Sequence, residues 1–195
     1  MIMVKYVNYP NKIKKEYHKS INYANRGMDL EDIINTTNEY LIEKDLALIY
    51  KKPTPIGVSK VSYQNNKQII EKAYFAEKST LDYNGIYNGK YIEFDAKSTK
   101  SHTSFPLSNV HEHQIKHMRK ILQHQGITFL IISMNNNYYL LNGQDFLNYI
   151  DTSNRKSIPF EYIDTFAYKL EYNYIKGLNY LNYVDIIGGL KNEKN

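Results

Sequence analysis

Thr80-Leu81-Asp82-Tyr83-Asn84-Gly85-Ile86-Tyr87-Asn88-Gly89-Lys90-Tyr91-Ile92-Glu93-Phe94-Asp95-Ala96-Lys97 is the stretch around which this sequence organises itself. Asn88-Gly89 is a pair that two-residue hairpin turns favour, because both turn positions need positive φ. The flanking runs therefore predict two antiparallel strands. In the second, Tyr91 to Lys97, strand geometry sends Ile92, Phe94 and Ala96 to one face and Glu93, Asp95 and Lys97 to the other. Asp95 and Lys97 thus share a face two positions apart. Asp82, just ahead of the first strand, can reach that face from next door.

Two converging carboxylates make a hard-oxygen site of the kind Mg²⁺ takes while keeping several waters. An adjacent ammonium can hold an attacking water or offset charge building on a phosphate. Phosphodiester hydrolysis needs these parts. The same residues also read as a solvated sheet face with cross-strand ion pairs, and the pattern alone leaves both readings open. It matches the PD-(D/E)xK nuclease scheme, which is short and degenerate.

Working outward, Asp29 to Leu46 reads as a helix with Leu30, Ile33, Ile34, Thr37 and Leu41 on one face and Asp29 as its cap. Ala47-Leu48-Ile49-Tyr50 reads as a short buried strand, stopped by Lys51-Lys52-Pro53-Thr54-Pro55 because proline donates no ladder bond. Val58 to Gln64 alternates like a strand, Asn65-Asn66 turns, and Lys67 to Phe75 fits helix or strand. Asn109 to Gln125 reads as a helix opened by a capping box of Asn109 and Glu112, with Ile115, Met118 and Leu122 inward and Gly126 ending it. Ile127 to Met134 is a continuous apolar strand, and Tyr138 to Leu141 another after Asn135-Asn136-Asn137. Residues 143–195 mix a short helix, a polar loop near Ser153 to Lys156, and Tyr-rich segments. This order predicts one α/β domain around a central mixed sheet. Residues 1–25, basic and aperiodic, predict a flexible arm ahead of it.

The 195 residues are 42% hydrophobic and 23% charged, enough for one domain with a real core. A formal charge of +5 favours a polyanionic partner without specifying one. Cysteine is absent, which excludes disulfides, thiolate metal sites and a Cys nucleophile. No apolar run approaches the roughly 20 residues of a membrane span, and Met1 to Lys15 lacks the apolar core of a secretory signal. The expected address is the cytoplasm. The 20 tyrosines, with no tryptophan, read as compositional bias, not as a base-stacking platform.

Longer matches carry more. Asn25-Arg26-Gly27-Met28, Leu30-Glu31, Lys51-Lys52-Pro53-Thr54-Pro55, Glu71 to Phe75, Ser79 to Tyr87, Tyr91 to Lys97, Thr103-Ser104-Phe105-Pro106-Leu107, His111 to Met118, Lys156-Ser157-Ile158 and Asn182-Tyr183 run in the order of a known family. On these residues the chain resembles RecU-type Holliday junction resolvases over nearly its whole length. The resemblance implies a restriction-endonuclease-like α/β core, a central mixed sheet flanked by helices, with a projecting stalk. It places a single nuclease domain over residues 26–195, with the stalk inserted near residues 56–75. It implies a metal site of Thr80, Asp82, Asp95 and Gln114, with Asp82, Asp95 and Lys97 catalytic and Lys97 stabilising the transition state. The implied cofactor is Mg²⁺, with Mn²⁺ as a substitute. The implied activity is symmetric nicking of four-way DNA junctions by a homodimer, in homologous recombination and DNA repair. Recombinase and branch-migration proteins are the implied protein partners.

Two departures from the family stand out. Asp95-Ala96-Lys97 replaces the usual Glu-Ala-Lys, shortening one metal ligand by a methylene, and Mg²⁺ is strict about geometry. The stalk tip, Tyr63 to Lys67, is about one residue shorter and less basic, with Gln64-Asn65-Asn66 in place of Lys or Arg.

Other candidates are read beside these. Glu31, next to the apolar face of the first helix, is a candidate accessory to the metal site. Arg26, Lys51, Lys52, Lys67 and Lys72 are candidate phosphate contacts, or solvated surface. His111, His113 and His117 lack the further ligands of a zinc site and read as the rim of the centre. The rival functions are a structure-indifferent PD-(D/E)xK endonuclease and a junction-binding recombination modulator with weakened catalysis.

Overall fold

The computed structural model describes residues 29–76 and 80–190. The expected arm, Arg26, residues 77–79 and residues 191–195 lie outside the described residues.

Leu30–Glu43 forms α1, with Asp29 in the cap position but making no side-chain cap hydrogen bond. Leu48–Lys51 is β1, an edge strand in which Ile49 is buried while Leu48 and Tyr50 remain exposed. The expected fully buried strand is therefore buried on one face only. Ile56–Gln64 (β2) and Lys67–Phe75 (β3) pair as an antiparallel ribbon of their own, which resolves the helix-or-strand ambiguity of Lys67 to Phe75. Tyr83–Tyr87 (β4) and Lys90–Ser98 (β5) form the predicted hairpin, with Asn88 at φ 47° and Gly89 at φ 75°.

Ser104–Pro106 (β6) and a 3-10 turn at Leu107–Asn109 precede α2, Glu112–Gln123. Asn109 therefore does not cap this helix. His111 is the N-cap and Gln114 closes the box. Of the expected inner face Met118 is fully buried, Ile115 and Leu122 pack partly buried against the same core, and Gln114 and Ile121 complete the buried stripe. Ile127–Met134 is β7, Asn137–Asn142 β8, Gly143–Thr152 α3, Ser157–Pro159 β9 and Phe160–Phe166 α4. Tyr168–Leu170 (β10), Tyr172–Asn173 (β11), Gly177–Leu178 (β12) and Leu181–Ile187 (α5) complete a C-terminal part more regular than its sequence suggested.

The central sheet runs β1-β4-β5-β7-β8-β10. β5 and β7 are parallel and the other neighbouring pairs antiparallel. This is the expected mixed sheet with helices on both faces. Because strand side chains alternate, each strand feeds two cores. Ile92, Phe94, Ile127, Phe129 and Ile131 pack with Leu30, Ile33 and Ile34 of α1 and Val184 of α5. Leu130, Ile132 and Leu141 pack on the other side with Met118 and Ile121 of α2 and Phe146 of α3. Glu93 and Asp95 belong to this second face, beneath α2.

A row of rings crosses the sheet under that point. Tyr83 stacks on Phe94 at 4.9 Å and Phe94 on Phe129 at 4.6 Å, linking β4, β5 and β7. On the outer side, a Cβ on Gly85 would lie 2.0 Å from the Leu48 carbonyl oxygen, so only glycine lets β1 approach β4 this closely. That approach delivers Lys51 and Lys52 to the end of the hairpin.

Candidate active site: a buried carboxylate centre

The antiparallel ladder pairs Tyr83 with Phe94. One step further brings Asp82 opposite Asp95, so their convergence follows directly from the hairpin register. Asp95 is fully buried, and Thr80, Asp82 and Lys97 are half-buried around it. The hydrophilic face is therefore not solvated: Glu93 is 1% and Asp95 0% exposed. α2 and the turn before β4 cover it.

Asp95 Oδ2 accepts a hydrogen bond from Gln114 Nε2 at 2.6 Å and lies 2.9 Å from Lys97 Nζ. Its Oδ1 accepts from the Ala96 amide at 3.0 Å. Burial, a hydrogen bond with Asp82 and the Asp82 charge push Asp95 up to about 6, against the pull of Lys97. Two carboxylates this close cannot both ionise without help. A shared proton or a bound cation can supply that help. Gln114 Oε1 accepts from the His111 amide at 3.0 Å, which fixes the orientation of the amide and leaves its oxygen one free lone pair.

Glu93, two residues back on the same face, is fully engaged. Oε1 accepts from the Leu81 amide at 3.1 Å and from Lys52 Nζ. Oε2 accepts from Tyr91 Oη at 2.5 Å and lies 2.9 Å from His117 Nε2. Burial pushes this carboxyl up, but the hydrogen bonds from Lys52, Tyr91 and His117 and the Lys52 charge outweigh it and hold it below the ordinary range.

The remaining candidates are placed as follows. Glu31 pairs with Lys51. Its backbone carbonyl accepts from Tyr83 Oη at 3.4 Å. Burial first, and then the charges of Glu31, Asp82, Asp95 and Asp29, raise the Tyr83 phenol, so Glu31 stands near the centre electrostatically, paired to Lys51. Lys52 points inward to Glu93 instead of outward to solvent. Lys67 and Lys72 are exposed on the β2–β3 ribbon. His111 and His113 stack at 5.5 Å, while His117 serves Glu93. Sequence reasoning missed the part played by Glu93 and Tyr91. An acidic residue two places before Asp95, on the same strand face, was the available signal.

The donor set suits a hard cation. Among the described residues no group of three or more His, Asp and Glu side chains is placed to hold a metal, so Asp82 and Asp95 would bring the charge. The Thr80 hydroxyl and the Gln114 amide oxygen are neutral oxygens of the kind Mg²⁺ accepts, but here Gln114 turns its Nε2 to Asp95 and its Oε1 to the His111 amide.

Sequence comparison places these residues in a family. The family described as RecU, Recombination protein U, matches residues 25–186. A relative named Holliday junction resolvase RecU from Oceanobacillus iheyensis is 43% identical over 192 residues, covering 92% of this chain and 98% of that one. One of the same name from Lactiplantibacillus plantarum is 45% identical over 184 residues, covering 91% and 89%. The Archaeoglobus fulgidus Holliday junction resolvase Hjc covers 67% of this chain and 90% of that chain at 9% identity and a TM-score of 0.39, too distant to bear on the assignment. No helix among the described residues is long and apolar enough to cross a membrane.

Proposed function

Since the chain belongs to the RecU family, we propose that it is a Holliday junction resolvase, a Mg²⁺-dependent endonuclease that nicks four-way DNA junctions symmetrically as a homodimer. The observation that carries this reading is the pairing of buried Asp95 with half-buried Asp82, with Lys97 Nζ 2.9 Å from Asp95 Oδ2. Its setting is homologous recombination and repair in the cytoplasm, alongside recombinase and branch-migration proteins. The core is of the restriction-endonuclease-like type, and the Ile56–Phe75 ribbon is its stalk.

Asp82 and Asp95 would hold the metal, with Thr80 and Gln114 as neutral oxygens. When bound, Mg²⁺ supplies Lewis acidity at a phosphoryl oxygen. The protein side chains do the rest. Gln114 and Lys97 fix the Asp95 carboxylate from two directions, so its orientation precedes substrate arrival. Lys97, more exposed than Asp95, can donate from its ammonium to a phosphate oxygen and offset charge as water adds to phosphorus and the P–O bond to the leaving strand breaks. The exposed Lys67 and Lys72, with Lys51 beside Glu31, would contact phosphates.

The shortened ligand Asp95 favours a second reading, a junction-binding modulator with weakened catalysis. A third is a nuclease indifferent to structure. Incubating the full chain with an immobile four-way junction, duplex, flap and single strand under Mg²⁺ or Mn²⁺ separates them. The proposal expects preferential junction cutting by the natural chain. Cutting that appears only in Asp95→Glu points to the modulator, and equal cutting of all substrates points to the indifferent nuclease.

A further inference from the structure

Resting on the nuclease reading, we infer that Glu93 is a positioning residue that sets the place of Asp82 without itself holding the metal. An ionised carboxylate offers about four lone-pair positions, and Glu93 has four donors on them: Leu81 N, Lys52 Nζ, Tyr91 Oη and His117 Nε2. It shares a strand face with Asp95 yet has no acceptor capacity left for a cation. Its two Oε1 donors lead directly to Asp82. The Leu81 amide, 3.1 Å from Oε1, is on the residue that precedes Asp82. The Lys52 backbone amide donates to the Asp82 carbonyl oxygen at 2.7 Å, while the side chain of the same lysine reaches Oε1.

Asp82 is thus clamped from both sides by groups that Glu93 holds, at a point where it lies beyond the last ladder pair, Tyr83 with Phe94. The Oε2 donors come from β5 itself and from α2, tying the clamp to the two elements that carry Asp95 and Gln114. A cation site built from two carboxylates depends on their separation, and outer hydrogen bonds that hold ligands in place commonly govern metal affinity about 10–100-fold.

The test measures Mn²⁺ binding to the full chain by the loss of the free-ion electron paramagnetic resonance signal, without DNA. It sets beside that the Mg²⁺ dependence of junction cutting, metal-free junction binding and thermal unfolding. Glu93→Gln keeps the volume and loses acceptors. The expected result is a metal affinity weakened by about tenfold or more, a matching rise in the Mg²⁺ needed for half-maximal cutting, and recovery of cutting at saturating Mg²⁺. Junction binding and unfolding temperature should stay near those of the natural chain. Lys52→Met cuts the link from Lys52 to Glu93 while keeping its backbone bond to Asp82, and should shift metal affinity the same way by less; it carries the test if Glu93→Gln fails to fold.

An unchanged metal affinity in a folded variant overturns the inference. So does loss of cutting at every Mg²⁺ concentration with Mn²⁺ affinity retained, which would place Glu93 in the chemistry itself. A parallel fall in metal affinity, junction binding and unfolding temperature in both variants overturns it as well, in favour of a general structural role. A natural chain that binds Mn²⁺ but cuts no junction counts against the nuclease reading and leaves the affinity comparison standing.

Discussion

At the carboxylate centre, four donors meet on Glu93 and three on Asp95, some from β5 itself and others from α2, the β1 end and the turn before β4. The Ile56–Phe75 ribbon, a few residues earlier, is nearly the reverse. Ile56, Tyr63, Ile70, Tyr74 and Phe75 are all more than half exposed, and the strands pair only with each other in their sheet. The centre is over-determined: each polar atom has a place fixed by several neighbours, as a site that must hold two like charges requires. The ribbon is ordered by cross-strand pairing, and an isolated two-stranded ribbon is marginal in water. Burial fixes the side chains of one region, and those of the other are left largely uncovered.

The contrast can be broken most sharply at the centre. Asp82→Ala or Asp95→Ala should lower junction cutting by about a thousandfold or more, since metal-held charge stabilisation is lost, while gel-shift binding of the same junction stays within about threefold. Full cutting by either variant would end the assignment of the site. At the ribbon, replacing Val58 to Ala73 by a short Gly-Ser turn should weaken junction binding about tenfold or more. The melting temperature should move by only about 2–3 °C, because little of the core lies there. A collapse in melting temperature would show that the ribbon is part of the fold after all.

A third effect sharpens the account of the centre through pH. Asp95 is raised from 3.8 to about 6, so between those values the folded chain keeps a proton that the unfolded chain has released. The stability contribution is complete below the lower value and is lost as pH rises toward the upper one. Denaturant titrations in EDTA should show that loss in the natural chain and not in Asp95→Asn. Mn²⁺ affinity should fall about tenfold per pH unit below that upper value, because the metal must displace the proton. The smallest change belongs to the ribbon tip. Gln64→Lys should tighten junction binding about two- to fivefold at low salt and steepen its salt dependence, by adding one counterion-releasing contact; no change in the salt slope would place the tip away from phosphate.

Local rules carried far in this chain. Asn88-Gly89 needs positive φ and folds into the hairpin that registers Asp82 against Asp95. Ile127 to Met134 reads as a strand and is one to the residue. The readings that failed did so where a polar side chain faces inward. Gln114 lies on the buried stripe of α2 beside the expected Met118, where periodicity counts only apolar residues, and the capping box is His111 with Gln114 instead of Asn109 with Glu112. Lys67 to Phe75 was undecided because strand and helix periods fit equally, and cross-strand pairing with β2 decided it.

By itself, the sequence determined the elements whose signals are local: the hairpin, the alternation that sets Glu93, Asp95 and Lys97 on one face, the apolar strands, and the family to which they belong. Tertiary structure alone decided that this face is buried. It also decided that Glu93 holds Leu81, Lys52, Tyr91 and His117, which lie up to 41 residues away in the chain, and that burial and the neighbouring Asp82 raise Asp95. The physical reason is that periodicity assigns a side chain to a face, whereas desolvation and charge coupling depend on what other parts of the chain are packed over that face.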